Sequence, residues 1–326
     1  MDVARFAARR LLISIPVLIV ASVIVFVLAA NSGDPLSDLV LNPNTPAAVV
    51  QRRRHELNLD KPVVARYGIW FGHFVRGDFG RNNDGLPVRP LLFRRAAVTF
   101  KMVGLAMVLA IVLAVGFGVV SAVRQYSLLD YGVTFVAFLC LSMPVFWLGA
   151  LLKEFLAIDI NKWLHHTYIF TIGDATPNLH GGLFHNLGNY AGHLVLPTLA
   201  LAAVSFASWS RFQRSSVLDV LNTDYVRLAR AKGLSPARVL VRHALRNALI
   251  PLATVVSIDF AAILGGAVIT EKVFAWKGMG DLLIDGVTKP DINELLAWLM
   301  VSAIIVILFN LVADILYGVL DPRIRL

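Results

Sequence analysis

The residues of this chain best placed to do chemistry are basic. The run ARAKGLSPARVLVRHALRNALIP, residues 229–251, holds Arg230, Lys232, Arg238, Arg242 and Arg246 and no acid. Such a run suits either a soluble partner protein or lipid headgroups. Two carboxylates stand inside otherwise apolar runs, Asp259 and Asp314. Asp259 falls near the middle of its run, where a carboxylate costs roughly 2.5–3.5 kcal/mol and is a functional candidate by default. Asp314 lies nearer an end and suits headgroups. His165, His166, His180 and His185 share one polar segment with several glycines. Imidazoles bind zinc, copper or nickel. Their spacing matches no closed site, no cysteine or carboxylate cluster joins them, and no metal is expected. The chain lacks G-x-x-x-x-G-K-[ST], H-E-x-x-H and G-x-S-x-G, so it builds no phosphate cradle, zinc-protease helix or nucleophile elbow of its own. Energy for any work must come from partners or an ion gradient.

These groups are held by an oily frame. The 326 residues are 57% apolar and 16% charged, against about 45–50% and about 25% in soluble domains. The net charge of +9 would suit nucleic acid only on an exposed soluble face, and no long soluble stretch exists. No nucleic-acid partner is expected. Cys140 is the single cysteine and has no intrachain partner. Residues 11–30, 102–123, 131–152, 194–210, 247–270 and 295–320 form six apolar runs, each near the roughly 20 residues that cross a bilayer. Helices satisfy their own backbone in lipid, and no barrel-like alternation appears. Arg5, Arg9 and Arg10 precede the first run as in a secretory signal, but its length exceeds the 7–15 residues of a cleaved segment, so it is read as a retained span.

Segment 211–246 carries eight cations against Asp219 and Asp224. By the positive-inside rule it is cytoplasmic, and six spans then put both termini on the same side. Segment 31–95 falls outside despite nine arginines, a tolerable conflict because loops beyond about 60 residues cross largely regardless of charge. It reads as a small folded outer domain. Residues 47–59 suggest a helix capped by Thr45 with Pro46 at its first position. The aromatics of ARYGIWFGHFVRGDFG suit a membrane face, a partner, or an ordinary small core. Lys153 and Glu154, at the outer end of the third span, are expected to snorkel.

The cytoplasmic segment reads as two short helices. Thr223 caps the first, 224–232, with Asp224 at its positive end. Gly233 takes the left-handed position after it, Leu234 folds back, Ser235 caps the second helix and Pro236 begins it. Leu221, Tyr225 and Leu228 form an apolar stripe, and Arg238, Arg242 and Arg246 a cationic one. Such an elbow is suited to docking on a soluble protein.

ARAKGL followed by NALIP resembles the EAA loop of ATP-binding-cassette importer permeases, with Ala229-Arg230-Ala231 in place of Glu-Ala-Ala, as in the dipeptide/oligopeptide branch. LNLDKPVVARY, RGDFGRN, SMPVFWLG, HLVLPTLALA, VFAWKGMG and DILYGVLDPRIR follow in an order similar to that branch. RRLL and the long first outer segment resemble its first permease subunit. The resemblance implies an all-α integral membrane protein, with six transmembrane helices of the type I importer permease fold and a small extracytoplasmic domain between helices 1 and 2. The segments would be 1–30, 31–95, a core 96–320 with coupling loop 211–246, and a cytoplasmic tail 321–326. It implies a prokaryotic cytoplasmic membrane, a homologous second permease, two ABC ATPases that use ATP and Mg, and an extracytoplasmic peptide-binding protein. This chain would bind no cofactor and catalyse nothing itself. Coupling would fall to Tyr225, Arg227, Leu228, Ala229, Arg230, Ala231, Lys232, Gly233 and Leu234. Asp259 would line the translocation path and meet a peptide's amino group, or tie helices together. Nickel or glutathione cargo, and an ion-driven secondary transporter, are the alternatives.

Overall fold

A computed structural model describes residues 3–31, 33–41, 45–177, 179, 181–289 and 291–320. His180 and tail 321–326 lie outside the described residues. The elements are α1 (Val3–Asn31), α2 (Ser37–Leu41), α3 (Ala47–Glu56), α4 (Val63–Val75), α5 (Val88–Val123), α6 (Leu128–Ser142) and α7 (Val145–Leu151). A π-helical segment, Leu152–Ile158, leads into α8 (Asp159–Leu164). Then come α9 (Leu183–Leu221), α10 (Asp224–Ala231), α11 (Pro236–Arg238), a second π-helical segment (Val239–Ala244), α12 (Leu245–Phe274), α13 (Met279–Thr288) and α14 (Ile292–Leu320). Five helical stretches among the described residues are long and apolar enough to cross a membrane. A sixth is reached if the bent pair α6 and 145–164 counts as one span.

That bend corrects the expectation of one unbroken span over 131–152. The helix direction turns by 112° between the two halves. Pro144 has no N–H to give and pushes its predecessor out of the helical region, and Met143 sits at φ −91°, ψ 129°. Pro16, Pro197 and Pro251 are carried inside helices without such a break. The second and fourth spans run far beyond their apolar cores, to 36 and 39 residues. Lys153 has partners within the chain. Its ammonium donates to the Val273 carbonyl and lies 5.0 Å from the centre of the Phe274 ring.

The chain forms two compact units. In the unit made of Arg9–Ala97 and Gly278–Ile307, the aromatic residues of segment 31–95 turn inward. Trp70 stacks on Phe74 at 5.4 Å, Phe74 on Phe79 at 5.1 Å, and Tyr67 meets Phe26 of α1 edge-on. The Tyr67 hydroxyl is hydrogen-bonded to the buried Ser22 of α1. Leu296 and Met300 of α14 close this core, so the ordinary-core alternative describes these aromatics. The turn after α4 is pinned to the start of α14: the Asn83 N–H donates to Asp291, and Asn82 Nδ2 to Glu294. The helix expected at 47–59 stops at Glu56, with Pro46 rather than Thr45 in the cap position.

The other unit, Met1–Ala8 with Val98–Lys277 and Leu308–Leu326, holds α6 to α12. α5 crosses α9 at Gly118, where an added Cβ would lie 2.8 Å from the Ser210 carbonyl oxygen and from Gln213 Cβ. Only a residue without a side chain allows that approach, a common device where membrane helices cross. The loop before α9 hangs on His193. Its ring stacks on Phe170 at 4.1 Å, and its nitrogens bond the Gly173 carbonyl and the Thr176 hydroxyl. His165, His166 and His185 are exposed, and among the described residues no group of three metal-ligating side chains converges.

Candidate functional site: the elbow

The elbow is built from α10, a four-residue corner and α11. Thr223 holds the N-cap position in extended geometry, but its hydroxyl donates back to the Val220 carbonyl instead of capping. Ser235 likewise occupies its cap position without a side-chain bond, with Pro236 at the first helical turn. The corner itself is a Schellman turn. Gly233 stands at φ +78°, its N–H donates to the Arg230 carbonyl at 2.9 Å, and the Leu234 N–H reaches the Ala229 carbonyl at 3.4 Å. Those are the two bonds that close a helix C-terminus of this type. Gly233 is required by its backbone alone, since an added Cβ would meet nothing within 4 Å.

Packing sorts the faces of α10. Val226 and Ala229, at 0% and 5% exposure, bury against Val239 and Ala244, with Leu234 folded onto them. Tyr225 and Leu228, at 40% and 56%, point outward. Of the apolar stripe expected from the sequence, Tyr225 and Leu228 form the free face, while Leu221 packs on the elbow's core. The buried face, Val226 and Ala229, is faint in the sequence because a valine and an alanine among arginines make a weak signal. Burying 0%-exposed Val226 holds α10 onto the π-helical segment; a valine so placed is worth about 1.5–3 kcal/mol. Asn247 Nδ2 donates to the Tyr225 hydroxyl at 2.8 Å, tying the ring to the start of α12.

Arg227, Arg230, Ala231 and Lys232 are exposed. Arg227 lies 3.6 Å from Asp224, a solvated pair worth little. Arg230, Lys232, Arg238, Arg242 and Arg246 are exposed and make no ion pair among the described residues. The expected α-helical stripe of Arg238, Arg242 and Arg246 is corrected in one respect. Arg242 sits in the π-helical segment, where bonds close i to i+5, so the three arginines do not keep α-helical spacing. The structure thus gathers Tyr225 to Leu234 into one corner, with an apolar pair ringed by unpaired cations.

Asp259 lies apart, fourteen residues into α12, or roughly 21 Å of helix from its start. It is half-buried, and Trp209 Nε1 of α9 donates to its Oδ2 at 2.8 Å.

Residues 114–326 match the family described as the binding-protein-dependent transport system inner membrane component. The chain belongs to this family. The permease is 40% identical over 323 residues to the oligopeptide transport system permease protein OppB of Mycobacterium tuberculosis (strain ATCC 25618 / H37Rv), covering 98% of this chain and 99% of that one. It is 38% identical over 325 residues to the oligopeptide transport system permease protein AppB of Bacillus subtilis (strain 168), with 99% of each covered. It is 34% identical over 331 residues to the dipeptide transport system permease protein DppB of Alkalihalophilus pseudofirmus, covering 98% and 99%. A chain from the inward-facing MetNI methionine ABC transporter is 17% identical, with a TM-score of 0.55 over 71% of the permease and 96% of that chain, so the two share a fold. The all-helical architecture is that of a type I importer permease.

Proposed function

We propose that this permease is the translocating subunit of an ATP-driven importer of di- and oligopeptides, worked through its elbow. The observation that carries the coupling is the Schellman corner at Gly233, which holds Tyr225 and Leu228 outward on a rigid two-helix hook. Positive-inside bias accounts for the arginines but not for a capped corner with an exposed apolar pair. The peptide cargo rests on full-length relatives at 34–40% identity that are named for oligopeptides and dipeptides.

In this reading the elbow seats in a cleft of a cytoplasmic ABC ATPase. Two such ATPases bind ATP and Mg and close on each other, and the two elbows, one from a homologous second permease, carry that motion into the spans. A peptide-binding protein delivers cargo on the outer side, and both termini face the cytoplasm of a prokaryote. Asp259 serves helix packing through Trp209, which gives its carboxylate a donor inside the chain. The test is reconstitution of the co-purified complex in vesicles with ATP enclosed. Uptake of radiolabelled trialanine that requires ATP, and that falls with Leu228→Ala, is expected. Uptake driven by an ion gradient without ATP, or a chain that purifies without a stoichiometric P-loop ATPase, overturns it. Displacement of peptide uptake by nickel or glutathione reassigns the cargo.

A further inference from the structure

A second polar construction stands one step above the elbow, in the same compact unit. Asp130, in the first turn of α6, is 3% exposed. Arg214 of α9 grips it with both arms of its guanidinium: Nε donates to Oδ1 at 2.8 Å and Nη2 to Oδ2 at 2.7 Å. Ser121, in the last turn of α5, donates its hydroxyl to the same carboxylate. The Tyr126 N–H donates to Oδ2 at 2.9 Å from a turn in which Tyr126 itself is left-handed at φ +63°. One carboxylate thereby joins the end of α5, the turn after it, the start of α6 and the last two turns of α9. A second link runs parallel, with Arg211 of α9 4.4 Å from the centre of the Phe138 ring in α6.

The position of this pin gives it meaning. Arg214 lies two helical turns before α9 ends at Leu221, and α10 begins at Asp224. The core beneath the pin is Ala122 of α5, Val217 of α9 and Ala248 of α12, with Val220, Leu221 and Leu240 packed on it. Val220, Leu221 and Leu240 also pack on the elbow's own core of Val226, Ala229, Val239 and Ala244. The Ser216 hydroxyl donates to the Ala248 carbonyl at 2.9 Å, closing α9 onto α12. The elbow therefore shares its packing with the ends of α5, α9 and α12. No α6 side chain belongs to these two shared cores; α6 packs along α9, and Asp130 with Arg214 is the buried polar tie in that contact.

We infer that Asp130 and Arg214 are positioning residues that carry displacement of the elbow into the bent third span. The inference rests on the reading of the elbow as the ATPase-coupling element. A buried ion pair is a poor stabiliser compared with apolar residues of the same volume, yet removing one partner alone leaves a buried charge and is costly. It does provide a directional bond with one geometry, and that is what transmission between helices needs.

The test uses the complete complex in vesicles, with radiolabelled trialanine uptake and ATP hydrolysis measured together and the amount of permease determined by immunoblot. Arg214→Met alone is expected to lower the amount in the membrane. The double variant Asp130→Asn/Arg214→Met removes both charges and is expected to restore the amount while uptake per ATP stays about tenfold low, the size of a typical coupling term. Arg214→Lys keeps the charge and loses the fork, so normal amounts with uptake per ATP lowered severalfold are expected. A double variant that regains uptake together with its amount overturns the inference. If the double variant does not accumulate, Arg214→Lys decides, and an unchanged ratio overturns it. The wild-type complex and Leu228→Ala run alongside. If wild-type uptake ignores ATP, the elbow reading itself has failed; if it needs ATP and Leu228→Ala impairs it, intact pin variants sink the pin alone.

Discussion

Replacing Gly233 separates backbone geometry from contact more cleanly than any other change in the elbow. At φ +78° the residue is left-handed, and the space around it is open to at least 4 Å. An added Cβ therefore clashes with nothing, and the main effect is the cost of holding an L-residue in that region, roughly 1–2 kcal/mol. At 1.4 kcal/mol per decade this lowers the population of the native corner by up to about 5–30-fold, and the apparent affinity for a partner that needs the corner falls by the same factor. Asparagine tolerates the left-handed region far better than alanine or a β-branched residue. The expected order is Gly233→Asn near wild type, Gly233→Ala reduced, and Gly233→Val reduced most. The buried face of α10 keeps all three in the membrane, so permease amounts should hold while ATP hydrolysis uncouples from uptake. The assay is uptake per ATP in vesicles, normalised to permease, with affinity for the purified ATPase measured by its titration. If Gly233→Val matches Gly233→Asn, the corner does not set the elbow's competence and the reasoning fails.

The two faces of α10 should separate in the same assay. Val226→Ala removes about two buried methyl-sized groups and is expected to cost about 2 kcal/mol of stability, lowering the melting temperature of the detergent-purified complex. Leu228→Ala, on a 56%-exposed side chain, should leave melting unchanged and weaken ATPase association. Gly118→Leu forces a side chain into a space where Cβ alone is 2.8 Å from backbone; a loss of about 1–3 kcal/mol is expected, read as reduced membrane amount. If the carboxylate only ties α9 to α12, Asp259→Asn keeps an oxygen that accepts from Trp209 Nε1 and should stay near wild type in stability, while Trp209→Phe removes the donor and should lose at least about 1 kcal/mol. A selective loss of cationic-peptide uptake in Asp259→Asn but not Trp209→Phe would place the carboxylate on the cargo's path instead.

The contrast between Gly233 and Asp130 explains how much of this molecule its sequence discloses. The elbow was legible because its signals are local. Gly-Leu-Ser-Pro states a left-handed stop and a proline start within four residues, and each has one physical meaning whatever surrounds it. The apolar runs were legible for the same reason, since the bilayer asks every span for the same composition. The break at Pro144 was written there too, but three other prolines pass through helices unbroken, and a proline alone does not say which it will do. The pin was illegible. Asp130 and Arg214 are 84 residues apart, and in the sequence Arg214 is one more cation obeying the positive-inside rule. His193 is hidden in the same way among the histidines that precede it in the sequence, and Val226 among the arginines around it. What a chain writes at one place can be read at that place; what two helices agree on across a crossing can be read only once the crossing exists. The glycine at the elbow's corner and the buried ion pair of Asp130 and Arg214 fall on opposite sides of that line.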